Sequence, residues 1–378
     1  MRASATWLKL RRDGNGLRVE ALMRIAGIEV HALAFRLERP YGNSVRMNYE
    51  RPTVVVEVVT EGGVSGWGDA PGNGPPQALA LLGAVGELKG HSLREIAPIV
   101  DALRHRLPAF GPAVAAVETA LYDAFAREAG VGISALFGGA RRDRVPAYAS
   151  GGYYFLGVTD RKSLLVEEAA KARERGYRAY KMKIGGKSVR EDVADVQAVR
   201  EAVGDEMLLI ADANCAYSFS TALEMGKALE RLGVHWYEEP LPKRDLTGYR
   251  ELRAKLDTPV AGGEQYREME EFRQALEARA MDVIQPDVAG AGGLARTLKV
   301  AALAATVTMH ALATLPQVLG TAPGLAPMLE YDVTPNLLRE RILVSEPEVG
   351  DDGCFAAPSG AGLGVEVNRE ALEEFAAE

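Results

Sequence analysis

Cysteine is almost missing from this chain: Cys215 and Cys354 are the only two in 378 residues, too few for a disulfide framework. Long apolar runs are missing too, since none approaches the roughly 18 to 20 residues that span a bilayer. Basic charge is in deficit, with 44 Lys and Arg against 52 Asp and Glu and a formal charge of -8. No basic stripe suited to a phosphate backbone breaks that balance. These absences set aside a stapled secreted module, a membrane span and a nucleic-acid partner, and they leave the cytoplasm as the expected compartment. Low complexity is also absent, and 47% hydrophobic with 25% charged residues is the usage of an ordinary globular protein.

What is present falls into two rhythms. Residues 1–22 are basic but have neither the apolar centre nor the cleavage site of a secretory signal, so they read as a peripheral extension. Residues 23–146 read as an α+β module of strands followed by helices. PTVVVEVVT and VSGWGDA are strand-like runs joined by a hairpin at Glu61-Gly62-Gly63. PQALALLGAVGEL, SLREIAPIVDALRHRL and PAVAAVETALYDAFAREAG read as helices, the last stopped at Gly130. Between two strands, the Gly-, Asn-, Ser- and Tyr-rich segment from Pro40 to Pro52 is long for a hairpin connection, a length that suits a lid.

From about residue 147 to 332, short apolar strands alternate with helical stretches, which predicts a parallel sheet closed into a TIM-type barrel. Lys183, Asp212, Glu238, Glu264 and Asp287 each end one of those strands, at intervals of 29, 26, 26 and 23 residues. A barrel gathers such strand ends around one mouth, where the active sites of these folds lie. Carboxylates crowded there repel one another unless a cation or protons compensate. Asp212, Glu238 and Glu264 form an all-oxygen set, which suits Mg²⁺, or Mn²⁺, and disfavours zinc. Strand alternation puts Lys181 and Lys183 on one face, where each is expected to lower the other's pKa and free Lys183 to act as a base. A metal-held carboxylate substrate losing its α-proton to Lys183 is the chemistry this set suggests, with Lys181 offsetting the substrate's charge.

KMK at 181–183, DAN at 212–214, YEEP at 237–240, GGE at 262–264 and QPDVAGAGG at 285–293 together resemble the mandelate racemase group of the enolase superfamily. The resemblance extends from Met23 through GWGDA to the LEYD strand near residue 330. It implies a modified (β/α)7β TIM barrel with an α+β capping domain, to which residues 333–378 return; a homo-oligomer acting on a small-molecule carboxylate is expected. By that likeness Lys183 is the base, Asp212, Glu238 and Glu264 hold Mg²⁺, Asn214 and Glu330 lie near the substrate, and Glu239 sits behind the ligands. Asp287 would orient a histidine acting as the second acid/base. The expected reaction is dehydration of an acid sugar to a 2-keto-3-deoxy acid; the alternatives are racemisation or epimerisation, or a sugar-acid-binding homologue without turnover. The absence of lysine near Gln285 argues against the muconate-lactonising and succinylbenzoate-forming branches.

The departure from that family lies at VAALAATVTMHALATLP, which lacks a capping Gly and a Pro-His strand end. One reading makes TVTMH the seventh strand and His310 the second acid/base. The other, which the missing turn chemistry favours, makes ATVTMHALATLP the seventh helix, with His310 away from the metal and the strand missing. Only 43 positions separate Asp287 from Glu330, where two ordinary βα units take roughly 50. A gap or distortion is therefore expected between about Ala302 and Thr308.

Overall fold

The computed structural model describes residues 23–72, 74–303, 308–310 and 328–377. Its first sheet comes from the hairpin text: β1 (Ile25–Gly42), β2 (Met47–Thr60) and β3 (Ser65–Pro71) pair antiparallel. The valine run of β2 explains both faces of this sheet by its period of two. Val54, Val56 and Val58 are buried against three helices, α1 (Gly74–Val85), α2 (Ile96–Arg106) and α3 (Gly111–Glu128). Val55 faces the other way and packs with Leu33, Trp67, Leu338, Leu372 and Phe375, so the C-terminal segment covers the second face. A Cβ on Gly66 or Gly68 would strike the α3 backbone at Ala120 or Ala116, so the two glycines of GWG allow that helix its close approach.

The Pro40–Pro52 segment is not the loop its composition suggests. β1 runs on to Gly42 and β2 begins at Met47, with Tyr41 opposite Asn48 and Gly42 opposite Met47. Cross-strand pairing breaks in register after Arg36 and resumes at the tip, which leans on β5 (Tyr154–Phe155) through Tyr41 and Gly42. The segment expected to serve as a lid is thus a two-stranded arm with a short turn at its end.

The second sheet is the parallel barrel. Its strands are β4 (Arg144–Gly151), β6 (Ala179–Lys183), β7 (Leu208–Asp212), β8 (Val234–Glu238), β9 (Val260–Gly262), β10 (Val283–Ile284), β11 (Thr308–His310) and β12 (Met328–Asp332). They lie in the order β10-β9-β8-β7-β6-β4-β12-β11, and β13 (Cys354–Ala356) pairs antiparallel with β4. Helices α4 (Arg161–Glu174), α5 (Val189–Val203), α6 (Phe219–Arg231), α7 (Leu246–Lys255), α8 (Met269–Glu277) and α9 (Leu294–Leu303) alternate with the strands. Tyr148, Ala179, Ile210, Trp236, Ala261 and Val283 fill the interior, one from each of six strands. Beneath the helices lies the largest core cluster. The architecture is a modified TIM barrel with a capping domain. Among the described residues no helix is long and apolar enough to cross a membrane.

His310 does not lie on a helix. Thr308–His310 is a barrel strand, paired parallel with β12 so that His310 stands opposite Glu330. The reading as a seventh helix assumed strands of ordinary length, but β10 has two residues and β11 three. Pairing also gives β12 the partner whose loss would have left its backbone groups unsatisfied. Most of the expected break between Ala302 and Thr308 falls at 304–307, outside the described residues.

Candidate active site

Register brings the site together. Lys183 on β6 pairs with Asp212 on β7, and Asp212 with Glu238 on β8, so three successive strand ends sit at one level of the barrel. Glu238 is next to Ala261, three residues before Glu264, and Glu330 on β12 is next to Tyr148 on β4. Oxygens of Glu238, Glu264 and Glu330 all lie within 4.8 Å of one another.

Both lysines point into this ring of acids, as strand alternation requires. Lys181, 0% exposed, places Nζ 2.5 Å from Glu238 Oε1, 3.0 Å from Glu330 Oε1 and 3.7 Å from Asp212 Oδ2. Lys183 Nζ donates to Asp212 Oδ2 at 2.5 Å and lies 5.3 Å from the Tyr153 ring centre. The expected net lowering of Lys183 by its neighbour is outweighed by the acids at these distances. Burial opposes the charged amines, but Asp212 beside Lys183 and Glu238 beside Lys181 outweigh it, and both stay above the usual lysine range. Lys181 does pull Lys183 downward; Asp212 is closer and wins.

Asp212 is closely held. Its Oδ1 accepts the Asn214 amide at 2.8 Å, and its Oδ2 accepts Asn214 Nδ2 at 3.2 Å as well as Lys183. Asn214 also reaches Glu264 Oε1 at 3.4 Å, which makes it the link between two acids. Burial, Glu239 and Asp212 push the Glu264 carboxyl well above its ordinary value. Burial resists ionisation of Glu238, yet Lys181 and Lys183 hold it low. Glu239 is pushed up to about 7 by burial and Asp212, and it accepts Gln265 Nε2 at 2.8 Å. Asn214, Cys215 and Glu239 adopt left-handed backbone, with φ of 45°, 62° and 41°. Strain at non-glycine residues collects at functional sites; here it turns two strand ends within the mouth.

Asp287 stands apart from this cluster. It follows β10, where its carboxylate accepts the Gly290 amide and its carbonyl accepts that of Ala291 at 2.6 Å. Three residues that spacing did not single out complete the acid ring. Trp236 Nε1 and Gln285 Nε2 donate to Glu238 Oε2 at 3.0 and 2.8 Å, and Tyr148 OH donates to Glu330 Oε2 at 3.1 Å. Trp236 was within reach of alternation, two positions before Glu238, and Gln285 opens the QPDVAGAGG motif; Tyr148 carried no local signal. At the lid's tip Ser44 Oγ donates to the carbonyl of Ala213 at 2.7 Å, which sets the arm beside Asp212. Burial and then Glu239 push the Cys215 thiol upward, away from the thiolate form that a nucleophile needs.

Residues 26–138 match the N-terminal domain of the mandelate racemase / muconate lactonizing enzyme family, and residues 164–371 match the enolase C-terminal domain-like family. The chain belongs to the mandelate racemase / muconate lactonizing enzyme family of the enolase superfamily. This enolase-superfamily chain is 35% identical to D-galactarolactone cycloisomerase from Agrobacterium fabrum, over 93% of its own length and 99% of the relative's. Arabinonate dehydratase from Saccharolobus solfataricus is 33% identical over 69% of this chain and 71% of that protein. The crystal structure of L-talarate/galactarate dehydratase from Salmonella typhimurium LT2, liganded with Mg and L-lyxarohydroxamate, superposes with a TM-score of 0.85 at 27% identity, covering 94% of this chain and 93% of that one.

Proposed function

We propose that this chain is a Mg²⁺-dependent lyase or isomerase that removes the α-proton of an acid-sugar carboxylate. The observation that carries the reading is the pair of buried lysines on one strand facing carboxylates from three others. The donors fit a hard divalent cation: they are all oxygen, Glu238, Glu264 and Glu330 converge within 4.8 Å with Asp212 linked to Glu264 through Asn214, and Glu264 is pushed upward by burial and then by the charges of Glu239 and Asp212. Asp212, Glu238 and Glu264 would hold Mg²⁺, with Glu330 at its flank beside Lys181 and Tyr148. When bound it supplies Lewis-acid stabilisation of negative charge on the substrate carboxylate.

Lys183 takes the proton from C2. Its basicity depends on Asp212 being engaged elsewhere, after which Lys181 is the neighbour that lowers it. Lys181 offsets the substrate's negative charge, and Asn214 holds Asp212 and Glu264 in place. Loss of the C3 hydroxyl as water, with a proton donated to it, then leaves an enol that becomes the 2-keto-3-deoxy acid. His310, whose strand lies beside that of Glu330, is the residue proposed for this second proton transfer, with Asp287 as its orienting partner. A second reading, isomerisation of an acid-sugar lactone, shares the first step and draws support from the match to a galactarolactone cycloisomerase. The alternative of racemisation or epimerisation uses the same two bases and returns the proton to the opposite face.

The test is a library of aldonates, aldarates and their lactones incubated with Mg²⁺ in deuterated water. A 2-keto-3-deoxy product is expected from one aldonate or aldarate, and consumption of a lactone alone would select the isomerase. Ligand binding with neither product nor C2 exchange would refute the enzymatic reading.

A further inference from the structure

Arg161 opens α4 and is only 4% exposed, yet its charge faces no part of the acid ring. From Nη2 it donates to the carbonyls of Gly152 at 2.7 Å and Lys183 at 2.5 Å, and from Nη1 to Asp195 on α5 at 2.6 Å. The Tyr154 ring lies 4.0 Å beneath the guanidinium. The ladder between β4 and β6 has its last registered pair at Gly151 and Met182, and the Lys183 amide then reaches the Gly152 carbonyl at 3.3 Å. The carbonyls that Arg161 takes are therefore the ones where sheet pairing stops, on the strand ends that carry Tyr153 and Lys183. Without Arg161 the Lys183 carbonyl would lose this donor and the Gly152 carbonyl would keep only the long bond from the Lys183 amide, so the strand end would turn to regain one. The ε-amine of Lys183 would move with its backbone.

We infer that Arg161, anchored by Asp195, is the positioning residue that fixes the strand end bearing Lys183 and so aims its amine at the substrate. This rests on the reading of Lys183 as the base. Only a guanidinium spreads donors in a planar fork wide enough for two carbonyls and a carboxylate together; a lysine ammonium is a point donor. Lys187, 3.4 Å from Asp195, is the other cation on that carboxylate, and at 30% exposure it cannot replace the buried fork.

The test has two arms. Crystal structures of the wild type, Arg161→Lys and Asp195→Asn report where Lys183 Nζ lies; Arg161→Met is added as the variant that removes the buried charge altogether. A displacement of about 1 Å is expected in both Arg161 variants, and a displacement of that size costs roughly 100-fold in rate. Exchange of C2 deuterium into galactarate is the kinetic arm. For Arg161→Lys it should show kcat lowered about 100-fold, or about 2.7 kcal/mol, with KM and Mg²⁺ affinity unchanged and the basic limb of the pH profile moved. Asp195→Asn should show a smaller loss of about 10-fold, because the fork keeps its carbonyls. A folded Arg161→Lys protein with Lys183 within about 0.5 Å of its wild-type place overturns the proposal, as does one with unchanged kcat and pH profile. Lys183→Ala that still exchanges would overturn the base reading instead, and the crystallographic arm would still decide whether Arg161 sets the place of residue 183.

Discussion

Lys181 and a divalent cation cannot both fully neutralise the same acids, and that competition predicts what Lys181→Met should do. Lys181 is 0% exposed and has three carboxylates at 2.5, 3.0 and 3.7 Å. Removing one partner of a buried ion pair costs about 3–5 kcal/mol, because the remaining charge has no water to return to. Without cation the variant should therefore lose about that much stability. The loss should be greater at high pH: the Glu264 carboxyl is raised in the folded state by burial, Glu239 and Asp212, so its contribution is present below its unfolded pKa and disappears as pH rises through the folded one. Saturating Mg²⁺ stabilises both proteins, and because it binds more tightly once the lysine's charge is gone it should narrow the difference by about 1.4 kcal/mol for each tenfold gain in the variant's affinity. The assay is thermal unfolding of both proteins in chelator and in MgCl₂, with calorimetric titration of Mg²⁺. Lys171→Met, at an exposed lysine paired with Glu167, is the control and should leave both curves unchanged. An equal loss of Tm with and without Mg²⁺, or weaker Mg²⁺ binding by Lys181→Met, would refute the competition.

Glu118, 2% exposed and raised to about 7 by burial against the pull of Arg104, contributes stability that is complete below pH 4.5 and is lost as pH climbs through 7. That window corresponds to about 3 kcal/mol. Glu118→Gln stays neutral, so it should match the wild type at pH 5 and exceed its urea midpoint at pH 8; a constant difference across that range would count against it. Ser44→Ala removes the lid's bond to Ala213, worth about 1 kcal/mol, and should raise the substrate Kd roughly fivefold with Mg²⁺ affinity unchanged, both read by calorimetry. His310→Asn should retain C2 deuterium exchange while losing product, and loss of both would remove His310 from its proposed role as second acid/base. In Mg²⁺ titrations, Asp212→Asn should weaken binding far more than Glu330→Gln, and the reverse order would exchange their proposed roles.

Spacing made the ladder legible because a parallel barrel repeats one unit per step, so residues at equal intervals arrive at equal height. The pairing of Lys183 with Asp212 and of Asp212 with Glu238 is that regularity realised. Where the unit shrinks, the same counting misleads: β10 and β11 are two and three residues long, and a count based on average strands left no room for the strand that holds His310. The lid failed differently. Its Asn43 and Ser44 do form the turn, but pairing of Tyr41 with both Asn48 and Phe155 draws the flanking residues into strand. The lysine charges failed for a third reason, which is distance. Alternation correctly put Lys181 and Lys183 on one face, but only register reveals that Asp212 stands 2.5 Å from Lys183, and at that separation a carboxylate outweighs a neighbouring ammonium. Tyr148, Gln285 and Arg161 share this cause, because each acts through a residue on another strand that no local pattern brings near. Periodicity therefore identifies which groups reach the mouth, whereas their protonation and aim are set by contacts between strands.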